Sequence, residues 1–119
     1  MIEVLLKKLQ EKHGDEFNWG VVEDDNYLLD ELSSELTSDH PLYGKARKAL
    51  ARCYSQDDVL FLLNDNSYAN VHLTYSKNNI GGCPSHIVFP DLQSAIDNIE
   101  EEYLEERNLV EEYLREIKQ

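Results

Sequence analysis

The chain has 119 residues and a formal net charge of −13 at pH 7. This length suits one domain whose core is stable without disulfides or bound metal, and we predict a single domain over residues 1–119. Hydrophobic residues make up 41% and charged residues 29% of the sequence. That composition is typical of a globular protein and excludes a disordered chain.

The N-terminal residues lack the pattern of a secretory signal, because the apolar run over 1–8 is short and is interrupted by Glu3 and two lysines. No stretch is apolar for long enough to span a bilayer. We therefore expect a cytoplasmic protein. Its cysteines, Cys53 and Cys83, match no metal-binding or redox spacing. We expect two reduced thiols, although a disulfide between them stays compatible with the sequence.

The negative charge is unevenly distributed. Residues 14–40 contain nine acidic groups and no lysine or arginine, whereas residues 41–54 contain four basic groups and no acid. Such a protein repels nucleic acids and anionic membranes, so neither is expected as a partner, and it attracts basic proteins. Acidity also keeps proteins soluble, but that explanation is weaker for a long block without a single base.

Two helices are predicted before residue 40. Apolar residues at helical spacing predict one over 2–13, and His13-Gly14 is a typical helix end. An apolar island over 17–22 follows, which we interpret as a loop or short strand in the core. The second helix is predicted over roughly 24–37, with Asp24 or Asp25 as its N-cap.

A third helix is predicted over about 41–54, since proline suits a first helical turn. The four basic residues are then expected on its exposed side, where they can pair with acids of neighbouring helices. Its predicted buried stripe consists of Leu42, Ala46, Ala49, Leu50 and Cys53.

The clearest pattern is a β-hairpin. An apolar run over 59–63 and a run of strand-forming residues over 68–75 enclose a turn cluster over 64–67. After a glycine-containing loop over 76–84, residues 85–89 predict a third strand. The three strands are most simply an antiparallel meander.

The last helix is predicted from its cap at Asp91 to residue 118, with an interruption of its apolar stripe near Glu106. Either it breaks near Asn108, or its end packs on the first helix or on a second copy of the chain. The predicted fold class is α+β: helices packed on a three-stranded antiparallel meander, with a long C-terminal helix.

Catalytic and metal-binding patterns are weak. Cys83 and His86 lie close together, but their odd spacing at a strand entry directs them to opposite faces. A zinc site from His72, Cys83 and His86 would require the second and third strands to pair, and no compact ligand motif supports it. We therefore predict no enzyme, no catalytic or metal-binding residue and no cofactor, with a Cys83–His86 enzyme as the third alternative.

Part of the chain resembles a known group of proteins. The residues that carry the resemblance are DDVLFLL over 57–63, YANVHLTY over 68–75, Pro84, and FPDLQSAI over 89–96. They are similar to small bacterial proteins encoded beside polymorphic or contact-dependent toxins, which act as immunity proteins. The resemblance implies a protein that binds one cognate toxin in the cytoplasm and blocks it.

The acidic block agrees with this implication, because secreted nucleases are often basic and an acidic protein can cover their nucleic-acid site. Tyrosine is enriched at protein interfaces, and one tyrosine lies among the acids. The candidate partner-binding residues are Glu23, Asp24, Asp25, Tyr27, Asp30 and Glu31. The alternative is a structural or regulatory homodimer that uses its amphipathic C-terminal helix as the seam.

Overall fold

The computed structural model describes residues 1–24, 26–76 and 84–117. This part of the chain contains three helices and five strands. Their order is α1 (Ile2–His13), β1 (Trp19–Val21), α2 (Asn26–Glu35), β2 (Ala46–Cys53), β3 (Asp58–Leu63), β4 (Tyr68–His72), β5 (His86–Phe89) and α3 (Leu92–Ile117). None of these helices is long and apolar enough to cross a bilayer.

The five strands form one antiparallel sheet in the order β1-β2-β3-β4-β5, so each strand pairs with its neighbours in sequence. The predicted hairpin is confirmed as β3 and β4, in which Phe61 faces Ala69. The turn between them contains Asn66 at a φ of 68°, a left-handed conformation that asparagine tolerates well.

Hydrophobic side chains cover both faces of this sheet. On one face, α1 and α3 pack with Trp19, Ala51 and Leu60 in one buried cluster. On the other face, α2 contributes Leu28 and Leu32 to a second cluster, which also contains the buried strand residues that point to this side. The sheet is therefore the middle layer of the fold, and the two faces carry different helices.

The predicted helix over 41–54 is wrong. Residues 41–45 form turns, with Gly44 at a φ of +71°, and Ala46–Cys53 is strand β2, which lies between β1 and β3. Its alanines, lysine, arginines and leucine favour helices intrinsically, and their burial also fits a helical period. The buried positions actually alternate along a strand, because two neighbouring strands pair with it and override local propensity.

The sheet consequently has five strands, where three were predicted. The apolar island over 17–22 includes strand β1, and β1 and β2 are the two additional strands. The α+β class is confirmed, and so is the long C-terminal helix.

Helix α3 is continuous over Leu92–Ile117 and has no break at Asn108. Asp91 caps it as predicted, since its Oδ1 accepts a hydrogen bond from the Ser94 amide at 2.8 Å. Glu100 joins α3 to α1, with 2.7 Å to His13 Nε2 and 3.0 Å to Lys12 Nζ. These contacts lower the pKa of Glu100.

A buried carboxylate fixes α2 to the chain that follows β4. Glu35, at the end of α2, is only 2% exposed. It accepts hydrogen bonds from the Thr74 amide at 2.7 Å, the Thr74 hydroxyl at 2.8 Å and the Tyr75 amide at 3.0 Å. Burial alone would raise the pKa of Glu35, but hydrogen bonds with Glu31, Thr74 and Tyr75 outweigh it and lower the pKa.

We expect Glu35→Gln to destabilise the fold at pH 7 by about 1–3 kcal/mol, the range for hydrogen bonds to a charged group. Because folding lowers the pKa of Glu35, its charged form stabilises the fold above the unfolded value of about 4.5. That contribution is lost as the pH falls below this value.

Urea unfolding at several pH values checks this expectation. The difference in unfolding free energy between wild type and Glu35→Gln should shrink below pH 4.5, the unfolded-state value. Glu101→Gln, on the exposed side of α3, is the matched control and should change stability by less than about 0.5 kcal/mol. Equal losses in the two variants would contradict a structural role for the Glu35 carboxylate.

Candidate functional site

An open depression lies where the edge of the sheet meets the start of α2. It has a volume of about 440 Å³, and its lining includes Glu23, Asp24, Tyr27, Arg52 and Tyr54. We call these five residues the tyrosine–acid surface. Tyr27 is 51% and Tyr54 66% exposed, so both rings are available to a partner.

Arg52 holds the two tyrosines together. It lies on β2, opposite Gly20 on β1 and Val59 on β3, and therefore faces the α2 side of the sheet. Its Nη1 donates a hydrogen bond to the Tyr27 hydroxyl at 2.9 Å, and its Cζ lies 5.7 Å from the centre of the Tyr54 ring. The second contact is within cation–π range. One guanidinium thus fixes two aromatic side chains that come from different elements.

Gly20 provides the space that Tyr54 occupies. A Cβ atom at this position would clash with the hydroxyl and the ring edge of Tyr54. Since the obstructing atoms belong to the end of a side chain, a larger residue here would move the tyrosine and leave the backbone in place. The sequence of β1 therefore determines where one aromatic of the surface lies.

Tyr75 extends the aromatic area and is also about half exposed. Its backbone amide is held by Glu35, and its φ of 53° is left-handed, which turns the chain as it leaves the sheet. Partial burial, and then the nearby Asp57 carboxylate, raise the pKa of Tyr75. The charges of Arg52 and Glu31 also act on this hydroxyl, which places it beside the tyrosine–acid surface.

The structure brings together some of the sequence-predicted partner residues. Glu23, Asp24 and Tyr27 line the depression. Asp30 and Glu31 lie three and four positions after Tyr27 on α2 and so continue the same helix side. Asp25 lies outside the described residues.

The acidic block is not one continuous surface. Glu35 is internal, and Glu16 forms an ion pair with Arg107 of α3 on the other face of the sheet. Sequence reasoning also missed Arg52 and Tyr54 as members of the site, because it assigned them to a helix. The alternation of Ala49, Ala51 and Cys53 is compatible with a strand, but the residues of this segment also fit a helical period, so the sequence does not decide between the two.

Of the residues considered for catalysis, His72 and His86 both line a depression of about 310 Å³ on the α3 side of the sheet, but each has its own partner. His72 Nδ1 lies 2.7 Å from Asp58 Oδ1 at the end of β4, whereas the ring of His86 packs 4.9 Å from that of His40. Cys83 lies outside the described residues, and Cys53 is a buried free thiol. Within the described ranges, no group of three or more His, Cys, Asp and Glu side chains is placed to hold a metal ion.

No family model, no curated protein and no solved structure matches this chain. The geometry and charge of the tyrosine–acid surface, together with the partial resemblance to immunity proteins, are therefore the observations that bear on function. That resemblance covers β3, β4, β5 and the start of α3, which form the scaffold behind the surface.

Two neighbouring residues on α2 test whether the tyrosines are kept for stability. We expect Tyr27→Ala to change the free energy of unfolding by less than about 0.5 kcal/mol, because the side chain is largely exposed. Leu28→Ala should cost about 2–5 kcal/mol, since Leu28 is completely buried. Urea titration of both variants measures the contrast. A loss at Tyr27 as large as that at Leu28 would show that the tyrosine is structural.

Proposed function

We propose that this chain is an immunity-type inhibitor, which binds a basic toxin in the cytoplasm and blocks it through the tyrosine–acid surface. A nuclease is the toxin class that fits best. The observation that carries the proposal is the arrangement of Tyr27 and Tyr54, which are exposed, fixed by Arg52 and bordered by Glu23 and Asp24.

The residue types of this surface are those that dominate binding energy in protein interfaces. Tyrosine and arginine are enriched among the side chains whose removal weakens complexes most. The hydrogen bond and the cation–π contact of Arg52 already restrict both tyrosines before any partner arrives. Less side-chain entropy is then lost on association, which favours tight binding.

The charge of the surface favours a basic partner. Glu23, Asp24 and Asp30 are exposed on the same side of the molecule as Tyr27. A carboxylate cluster attracts a positively charged protein from a distance and accelerates the encounter. Nucleases need a basic site for their polyanionic substrate, so a protein that presents carboxylates can occupy that site in place of phosphates.

In this proposal the chain inhibits by occupying a surface, and it needs no catalytic residue and no cofactor. Its partner is a protein, and neither nucleic acid nor a membrane binds to it. The strong net charge of −13 supports this choice, because it opposes contact with either polyanion.

A charge-reversal pair of variants tests the proposal. The first changes Glu23, Asp24 and Asp30 to lysine, and the matched control changes Glu101, Glu112 and Glu116 of α3 to lysine. All six side chains are exposed, so the two variants have equal net charge and differ only in position. Tagged wild type first captures its basic partner from the native host, and coexpression then measures protection against the toxicity of that partner.

We expect the first variant to lose binding by about 100-fold or more and to lose protection, since like charges across an interface cost several kcal/mol. The control should protect as wild type does, with only a modest decrease in association rate. Wild-type binding should weaken as salt is raised. Equal protection by both variants would place the contact elsewhere, and a partner without toxic activity would contradict the immunity function.

Helix α3 favours a second candidate function, that of a homodimer. Three leucines from the middle to the C-terminal end of this helix, Leu104, Leu109 and Leu114, are exposed, and Leu109 is 67% exposed. Leucines five positions apart lie about 140° from one another around a helix, so they do not form one stripe. Pairing of two α3 helices could therefore cover some of them and leave the others exposed.

Solution mass as a function of concentration tests this candidate. If α3 is a dimer seam, the wild-type mass should double at raised concentration, and replacement of Leu109 and Leu114 by glutamate should keep the chain monomeric. Light scattering after size-exclusion chromatography measures both. A monomer at every concentration would exclude the dimer, and it would leave the immunity proposal unaffected.

A further inference from the structure

Strand β5 is an edge of the sheet, because within the described residues only β4 pairs with it. The Ser85 carbonyl accepts a hydrogen bond from the His72 amide at 3.0 Å, so its polar groups, and those of Ile87 two residues later, point towards β4. The backbone groups of His86 and Val88 lie between them in sequence and therefore point away from the sheet. These amides and carbonyls have no backbone partner in the part of the chain that the structure describes.

The side chains next to these free groups are apolar. Ile87 lies opposite Asn70 and is 48% exposed on the α3 side of the sheet, and Val88 lies opposite Ala69 and is 49% exposed on the α2 side. Free hydrogen-bonding groups flanked by β-branched side chains are a template for another strand. Proteins often protect such edges with charged side chains, but β5 contains no lysine, arginine, aspartate or glutamate.

The charge distribution favours β5 as the edge at which two copies of the chain meet. Residues 78–90 contain no aspartate, glutamate, lysine or arginine, whereas β1, at the opposite edge of the sheet, is followed closely by the exposed Glu23 and Asp24. Two chains that each carry a net charge of −13 repel each other, and this repulsion is weakest where their contact surface is uncharged.

The sequence around β5 favours one register for pairing with a second copy. When two β5 strands lie antiparallel with His86 opposite Val88 of the other copy, every outward amide meets an outward carbonyl. Other registers place Pro84 or Pro90 opposite a free group. Pro90 has no amide hydrogen, and the Pro84 carbonyl already accepts a hydrogen bond from His40 Nε2 at 3.0 Å.

We propose that two copies of this chain associate through β5, antiparallel and about a two-fold axis at Ile87. The two Ile87 side chains then face each other at a position where paired strands approach to a Cα separation of about 4.5 Å. The contact uses the same edge of both copies, so it closes at a dimer and does not extend into a filament. Two five-stranded sheets become one continuous sheet.

This dimer goes beyond the proposed toxin inhibition and leaves its surface free. The tyrosine–acid surface lies beside β1 and β2, at the other edge of the sheet. A β5 dimer therefore carries one tyrosine–acid surface at each outer end, and each copy can hold its own basic partner. The seam also differs from a pairing of α3 helices, so variants can separate the two.

Analytical ultracentrifugation of the whole chain tests the proposal. Because two short strands make a small contact, we expect a monomer at low protein concentration and a dimer as the concentration approaches about 1 mM. Raised salt should increase the dimer fraction, since salt screens the repulsion between two acidic chains. Binding of a basic partner to the tyrosine–acid surface should weaken under the same conditions.

Ile87→Lys should abolish the dimer, because it places two like charges in direct contact at the two-fold axis. Val4→Lys is the matched control, since Val4 of α1 is 51% exposed and the variant has the same net charge; it should dimerise as wild type does. Val88→Pro is a second variant, which removes an outward amide and leaves the hydrogen bonds with β4 in place. Circular dichroism checks that each variant is folded.

Cysteine variants test the register, in a Cys83→Ser background in which the remaining native thiol, Cys53, is buried. Ile87→Cys should form a disulfide between copies on mild oxidation, because its Cα separation falls within the disulfide range. Val88→Cys should form far less, since Val88 lies opposite His86 of the other copy and not opposite itself.

Three results would overturn the proposal. The first is a monomer at every protein and salt concentration. The second is a dimer that persists in Ile87→Lys and is lost when Leu109 and Leu114 become glutamate, which would place the seam on α3. The third is equal disulfide formation by Ile87→Cys and Val88→Cys, which would show random collision in place of a fixed register.

Discussion

The hydrogen bonds of the Glu35 carboxylate are the constraint on which the proposed binding surface depends. Glu35 ends α2, and its oxygens hold the backbone of Thr74 and Tyr75 after β4. This pairing sets the position of α2 on the sheet, and with it the distance from Tyr27 to Arg52 on β2. A buried carboxylate without such donors would be strongly unfavourable, so the helix and the strand end stabilise each other.

The two faces of the sheet differ in chemistry as well as in helices. On the α2 face, exposed aromatics surround one arginine and are bordered by acids, which suits a protein contact. On the α3 face, Asp58, Asn70 and Glu102 line a polar depression beneath the long helix. The two faces of the molecule therefore present different chemical environments, and the five-stranded sheet lies between them.

Several elements could be predicted from sequence because local signals and tertiary packing agree. Helix α1 has a clear helical period and a clear C-terminal signal, the β3–β4 hairpin has a turn cluster between two strand-forming runs, and α3 has a clear N-cap at Asp91. Strand β2 could not be predicted, since the residues of Ala46–Cys53 fit both a helical and an alternating period. Only pairing with β1 and β3, which is invisible in local sequence, decides between them.

The residues of the tyrosine–acid surface also divide into those that local sequence predicts and those that depend on strand pairing. Its acids and Tyr27 could be predicted, because an unbroken acidic block is visible in the sequence. Arg52 and Tyr54 could not, because they reach the surface through β2 and through the space at Gly20. The internal role of Glu35 was hidden as well, since a buried acid and an exposed acid have the same sequence signal.

Amide hydrogen exchange of the chain, alone and in complex with the basic partner that we propose for it, tests the role of the tyrosine–acid surface most directly. We expect binding to slow exchange in α2, at the β1–β2 edge and around Tyr75, and to leave the C-terminal half of α3 unchanged. Slower exchange confined to α3, with α2 unaffected, would contradict the tyrosine–acid surface as the site of toxin binding.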